Sequence, residues 1–117
     1  MPYTLYHNPR CSKSRTALQL LEQQGVALTV IEYLKTPLNA ESLQSLIHKL
    51  GLPPRDLMRR SETPYKEIEL QDASDADLIA AMIAHPILIE RPILADDTRA
   101  ILARPPERVL DFITTSY

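Results

Sequence analysis

The chain has 117 residues, with 13 basic and 15 acidic side chains, a net charge of −2, one cysteine and two glycines. That length suits one domain with an ordinary core, and the charge balance excludes a protein built to coat nucleic acid or an anionic membrane. A single cysteine excludes an internal disulfide and a multi-cysteine zinc site, and the longest apolar run, residues 78–84, falls well short of the roughly 20 residues of a membrane span.

In chain order, Met1-Pro2-Tyr3 offers no basic segment followed by an apolar one, so no secretory signal is expected and the cytoplasm is the expected location. Tyr3-Thr4-Leu5-Tyr6 reads as a short strand, alternating and rich in aromatic and β-branched residues. His7-Asn8-Pro9-Arg10 breaks it. The pattern then predicts a helix from Ser12 to Gln24 that buries Ala17, Leu18 and Leu21 and closes at Gly25. Leu28-Thr29-Val30-Ile31-Glu32-Tyr33 is the second strand, parallel to the first because the helix between them can make a right-handed crossover.

The middle of the chain reads as helical. Asn39 caps a helix over Ala40–Leu50 that ends at Gly51, with Leu43, Leu46, Ile47 and Leu50 at core spacing. Pro53-Pro54 opens a second short helix through Leu57 and Met58, and Ser74-Asp75-Ala76-Asp77 resembles a capping box ahead of an apolar helix. The last third returns to sheet. Pro92-Ile93-Leu94-Ala95 and Arg99-Ala100-Ile101-Leu102 flank Asp96-Asp97 as a hairpin, and Pro105 suits the first turn of a final helix carrying Val109, Leu110, Phe112 and Ile113. The order β-α-β, helices, β-β-α predicts a small α/β sheet with a helical insertion over residues 37–86, in a single domain spanning 1–117.

The chemistry concentrates at the first strand-to-helix turn. A cysteine at a helix start faces unpaired N–H groups and the positive end of the helix dipole. Arg10, Lys13 and Arg15 around Cys11 add positive charge, and cysteines so placed titrate at about 3.5–7.5 instead of about 8.5. The bland alternative, a buried structural cysteine, fits these polar neighbours poorly. The same helix start suits an oxyanion, which would need further cations. The chain carries nine arginines against four lysines, and arginine is the better fork for paired oxygens. Arg91-Pro92 precedes one hairpin strand and Arg104-Pro105 follows the other, so if the hairpin lies beside the first strand both guanidiniums fall near strand ends, where α/β sites form.

Tyr6-His7-Asn8-Pro9-Arg10-Cys11-Ser12-Lys13-Ser14-Arg15, with Ile89-Glu90-Arg91-Pro92-Ile93 and Arg104-Pro105-Pro106-Glu107, resembles the glutathione- and glutaredoxin-coupled arsenate reductases, the ArsC family. The resemblance runs through essentially the whole chain, including Arg55-Asp56-Leu57-Met58-Arg59-Arg60 and Pro64-Tyr65-Lys66-Glu67. It implies a thioredoxin-like fold, α/β with a helical insertion. It also implies catalysis by Cys11, oxyanion binding by Arg59, Arg91 and Arg104, and a cis bond before Pro92. The activity it implies is reduction of arsenate to arsenite, with glutathione as co-substrate, glutaredoxin as partner and no bound cofactor. No metal, nucleic acid or membrane is expected to bind, and the protein is expected to act as a monomer. The chain ends at Tyr117, without the longer C-terminal tail common in that family.

His7, Ser14 and Arg15 are expected to support the thiolate. For His7 the options are an imidazolium beside the sulfur or a hydrogen bond to backbone. For Ser14 they are a helix cap or a bond to the thiolate. His48 and His85 read as structural, and Arg99 and Arg108 as solvated. Cys11 and Ser14 make a C-x-x-S pattern with no resolving thiol, so any two-electron cycle needs a thiol from outside the chain. Two rival functions stay open. One is a glutathione-linked thiol reductase of the same fold that does not use arsenate. The other is an Spx-type redox regulator that binds RNA polymerase, against which Ser14 counts because such regulators usually carry C-x-x-C. Neither rival needs three arginines for an oxyanion.

Overall fold

A computed structural model describes residues 3–114. The chain divides into two compact units, one formed by residues 1–33 with 91–117 and the other by residues 34–90.

The first unit is a four-stranded sheet with two helices. Strand β1 (Tyr3–His7) leads into helix α1 (Ser12–Gln24) and strand β2 (Leu28–Glu32). Near the C-terminus, β3 (Ile93–Ala95) and β4 (Ala100–Leu102) precede α5 (Arg108–Thr114). The sheet order is β2-β1-β3-β4, with β1 parallel to β2 and antiparallel to β3, and β3 antiparallel to β4. This is the thioredoxin-like topology that the resemblance implied. Leu5 and Leu94 bury one face of the sheet against Ala17 and Leu21 of α1 and Val109 and Phe112 of α5, each large aliphatic side chain contributing about 1.5–3 kcal/mol. Helix α1 stops where expected, at Gly25, whose φ of 67° is open to glycine at no steric penalty.

Four details differ from expectation. Tyr33, buried, lies in the turn after β2 instead of in the strand. Leu18 is half-buried, packed at the margin of the core instead of inside it. Helix α5 starts at Arg108, not at Pro105, which follows a cis bond and lies in the turn before it. Arg99 is no solvated bystander. It pairs with buried Asp96 (Nη2–Oδ2, 3.2 Å) and lies 4.3 Å over the Phe112 ring. The Asp96 carboxylate also accepts the N–H groups of Thr98 (2.9 Å) and Arg99 (2.8 Å), and this is what turns the hairpin. Burial opposes charge on Asp96, but these hydrogen bonds and the Arg99 charge outweigh it and hold the carboxyl below its ordinary value.

The second unit is helical: α2 (Ala40–Leu50), α3 (Thr63–Glu67) and α4 (Asp75–Ala84), joined by short 3-10 turns at Pro54–Leu57, Leu70–Asp72 and Pro86–Leu88. Both sequence-predicted caps are present: Asn39 accepts from Ser42 N–H at 2.8 Å and Ser74 from Asp77 N–H at 3.2 Å. Leu43, Leu46 and Ile47 of α2 and Leu78 and Met82 of α4 are buried with Leu57 and Leu88. Arg55 stitches the irregular part, donating to Tyr65 Oη (2.6 Å) and to the carbonyls of Leu70 and Ala73 (both 3.0 Å). No helix among the described residues is long and apolar enough to cross a membrane.

Candidate active site

The turn between β1 and α1 is fixed by Asn8. Its side-chain oxygen accepts Arg10 N–H (3.0 Å), its carbonyl accepts Cys11 N–H (3.0 Å), and its own N–H donates to Ser14 Oγ (3.1 Å). Buried Asn8 was legible only as a breaker before proline, a pair that commonly starts a turn. The hydrogen-bonded turn delivers Cys11 as the N-cap residue of α1, with extended backbone (φ −93°, ψ 122°) and no cap hydrogen bond closed by its side chain.

Sulfur therefore stands where a serine or aspartate oxygen would ordinarily cap a helix. Partial burial pushes the Cys11 thiol up, but the N–H of Ser14, the hydrogen bonding and charge of the Arg91 guanidinium, and the N–H of Lys13 outweigh it and bring the thiol below its ordinary value. The expected result is iodoacetamide alkylation that stays fast down to mildly acidic pH. A rate that falls away below about pH 8 marks an ordinary thiol.

The supporting residues act differently from the sequence reading. His7 Nδ1 and Ser14 Oγ share a buried hydrogen bond of 2.6 Å. Burial lowers the His7 pKa first, Glu32 opposes this, and the net shift is downward. Of the two roles open to His7, this favours the hydrogen-bonding one over the imidazolium. Ser14 does not use its hydroxyl as the cap. The hydroxyl joins His7 and Asn8, while the backbone N–H of the same residue faces the sulfur. The Arg15 guanidinium donates to the Pro9 carbonyl (2.9 Å) and braces the turn.

Sheet register brings two arginines to this end of β1. Tyr6 is opposite Ile93, and Ile93 is opposite Leu102, so one step beyond the ladder on each strand come Pro92 and Ala103, and then Arg91 and Arg104. Ala103 N–H donates to the Pro92 carbonyl (2.9 Å), and Arg104 Nη1 donates to the Arg91 carbonyl (3.0 Å). The Arg91–Pro92 peptide bond is cis, as is Arg104–Pro105. The Nε and Nη1 atoms of Arg91 are buried without a hydrogen-bond partner. A guanidinium held this way lacks what an anion with two oxygens would supply.

Cys11, His7, Ser14, Arg15, Arg91, Pro92 and Arg104 all belong to the first unit, whereas Arg59 belongs to the helical one. There Arg59 pairs with Glu62 (3.4 Å) and Glu90 (3.6 Å). His48 is exposed and His85 ends α4. Among the described residues no group of three His, Cys, Asp or Glu side chains could hold a metal ion.

The ArsC family model matches residues 6–112. The chain is 47% identical over 112 residues to YfgD, an uncharacterised protein of Escherichia coli (strain K12), covering 93% of this chain and 94% of that one. It is 40% identical over 119 residues to an arsenate reductase of Rhizobium meliloti (strain 1021), covering 100% of this chain and 85% of that one. A solved structure described as arsenate reductase from Vibrio cholerae shares 51% identity and superposes with a TM-score of 0.91, covering 95% of this chain and 97% of that one.

Proposed function

The chain belongs to the ArsC family, and we propose that it reduces arsenate to arsenite with Cys11 as nucleophile and thiols from outside the chain as reductant. The observation that carries this reading is the Arg91 guanidinium, whose buried Nε and Nη1 have no hydrogen-bond partner, set beside a Cys11 thiol that it helps to bring below its ordinary pKa. A nucleophile beside an unsatisfied cationic fork suits attack on the central atom of an oxyanion.

In the first step the Cys11 thiolate forms a sulfur–arsenic bond to dihydrogen arsenate. One oxygen takes up a proton and leaves as water, with arsenic still pentavalent. Arg91 and Arg104 hold the remaining oxygens. In the second step glutathione, the external thiol that the family resemblance implies, attacks the Cys11 sulfur. A Cys11–glutathione disulfide forms, the sulfur–arsenic bond breaks, and its electron pair leaves with arsenic as trivalent arsenite. Glutaredoxin then takes the glutathionyl group by thiol–disulfide exchange and returns the Cys11 thiol. A single cysteine among the 117 residues makes an outside thiol necessary for this cycle. The family resemblance assigns Arg59 to the same anion, an assignment that Arg59→Ala tests separately. We propose that the protein works as a monomer in the cytoplasm.

Protection experiments test the oxyanion reading. Arsenate, or sulfate as an unreactive stand-in, should slow alkylation of Cys11 in a saturable way at constant ionic strength. Equal slowing by chloride at the same ionic strength would instead indicate simple screening.

A further inference from the structure

Cys11 lies between two exposed cations, Arg10 before it and Lys13 after it in the first turn of α1. The backbone fixes both residues. Arg10 N–H donates to the Asn8 side-chain oxygen (3.0 Å), and the Lys13 N–H faces the Cys11 sulfur. Their charged ends stay in water: among the described residues, neither side chain has a hydrogen-bond or ion-pair partner. The other arginines of this turn and sheet end are already engaged. Arg15 braces the Pro9 carbonyl (2.9 Å) and Arg104 the Arg91 carbonyl (3.0 Å). Arg91 acts on the sulfur itself, with its Nε and Nη1 buried. An oxyanion attached to sulfur is served by that buried fork. The exposed pair is surplus to it, on the surface that a second reactant must cross to reach the half-buried Cys11.

We propose that Arg10 and Lys13 select the thiol that resolves the Cys11 adduct, favouring a small thiol with a carboxylate on each side of its sulfur, and so glutathione over neutral or cationic thiols. This rests on the reading of Cys11 as a nucleophile resolved by a thiol from outside the chain. Glutathione carries its thiol between a glycine carboxylate and the carboxylate of its γ-glutamyl end, and Cys11 carries its sulfur between two cations. The Cys11–oxyanion adduct is itself negative, so a second anion approaching it meets a repulsion that the two exposed cations offset. They act again on the Cys11–glutathione disulfide, where the same two carboxylates are held. Because both cations are exposed, each contributes modestly and is screened by salt.

The test is thiol–disulfide exchange on the full chain without arsenate, followed by intact-protein mass spectrometry at fixed pH and low ionic strength. The Cys11 thiolate attacks one sulfur of a disulfide, a mixed disulfide forms on Cys11, and the other half leaves as a thiolate. The probes are glutathione disulfide, neutral hydroxyethyl disulfide and dicationic cystamine. Arg10→Gln and Lys13→Gln should each slow the reaction with glutathione disulfide about two- to fivefold, the double variant more, and added salt should erase the difference. The rate with hydroxyethyl disulfide should change less than about 1.5-fold, because a neutral probe offers these charges nothing to act on, and the rate with cystamine should rise. Arg10→Lys and Lys13→Arg should keep the natural rates, since charge carries the selection. Equal slowing with glutathione disulfide and hydroxyethyl disulfide would mean that the cations tune Cys11 itself, and unchanged rates with all three probes that they are only solvated. Either result refutes the selection. If Cys11 forms no adduct even with hydroxyethyl disulfide, the nucleophile reading itself falls and takes this inference with it.

Discussion

Cys11→Ser should lower arsenate turnover by roughly a thousandfold or more, the scale on which removing a catalytic nucleophile acts, while the protein stays folded. In the proposed mechanism the sulfur attacks as an anion: the N–H groups of Ser14 and Lys13 and the Arg91 guanidinium favour the charged form of the thiol. They cannot do the same for a hydroxyl, whose pKa lies far higher, and the His7 ring is already engaged by Ser14. Stability should move the other way. Cys11 occupies an N-cap without closing a cap hydrogen bond, and serine is among the residues preferred there, with cap hydrogen bonds worth about 1 kcal/mol. The thermal midpoint of Cys11→Ser should therefore equal or exceed that of the natural protein. Residual turnover within tenfold of the natural enzyme would remove Cys11 from the mechanism.

The second large effect is expected at Arg91. Its Nε and Nη1 make no hydrogen bond that alanine would break, so Arg91→Ala should fold normally and lose function specifically. Losing a charge-assisted hydrogen bond of about 1.5–3 kcal/mol corresponds to a loss of roughly ten- to a hundredfold in kcat/KM. The same variant should move the onset of fast alkylation to higher pH, because Arg91 contributes to the depressed Cys11 pKa. Arg91→Lys should restore the pH profile more than the kcat/KM, since lysine keeps the charge and loses the planar fork. Arg104→Ala should also lower kcat/KM, with a small loss of stability because Arg104 braces the Arg91 carbonyl. Arg60, exposed and paired with Asp56, is the proper control for this series. Arg99 is unsuitable, because its loss would unpair buried Asp96 and uncover Phe112. Steady-state kinetics with circular dichroism on each variant separates the two kinds of loss. Equal losses in Arg91→Ala and Arg60→Ala would point to general electrostatics instead of a specific fork.

Much of this molecule is written locally in its sequence. Helix α2 carries both of its boundaries in short-range chemistry, Asn39 capping it and Gly51 stopping it, and Gly25 stops α1. Ser74 caps α4. What failed was structure without a period. Helix α3 has five residues behind a proline, and the 3-10 turns are shorter still, too brief for an apolar repeat to show. Pro105 fits a first helical turn by its ring alone, yet α5 starts three residues later, at Arg108.

The site divides in the same way. Cys11 at a helix start surrounded by charge is readable because every contributing group lies within a few residues. That Arg91 and Arg104 share one sheet end with it follows from the ladder joining β1, β3 and β4, which no local pattern encodes. His7 shows the limit most clearly. Its position in the turn left an imidazolium and a backbone hydrogen bond both open, whereas burial lowers its pKa and its ring pairs with Ser14 in the first turn of α1, neither of which the local sequence shows. Partners such as Glu90 for Arg59 depend on a two-residue bridge between distant segments, and nothing in either stretch announces it.

Direct measurement of arsenite formed by the purified protein from arsenate, with glutathione, glutaredoxin and a regenerating reductant, tests the central claim most plainly. The account predicts arsenite well above the enzyme-free control, lost when either thiol donor is omitted and lost in Cys11→Ser. No arsenite above that control, from protein whose Cys11 still alkylates rapidly at mildly acidic pH, would contradict it and leave a thiol reductase of the same fold as the better reading.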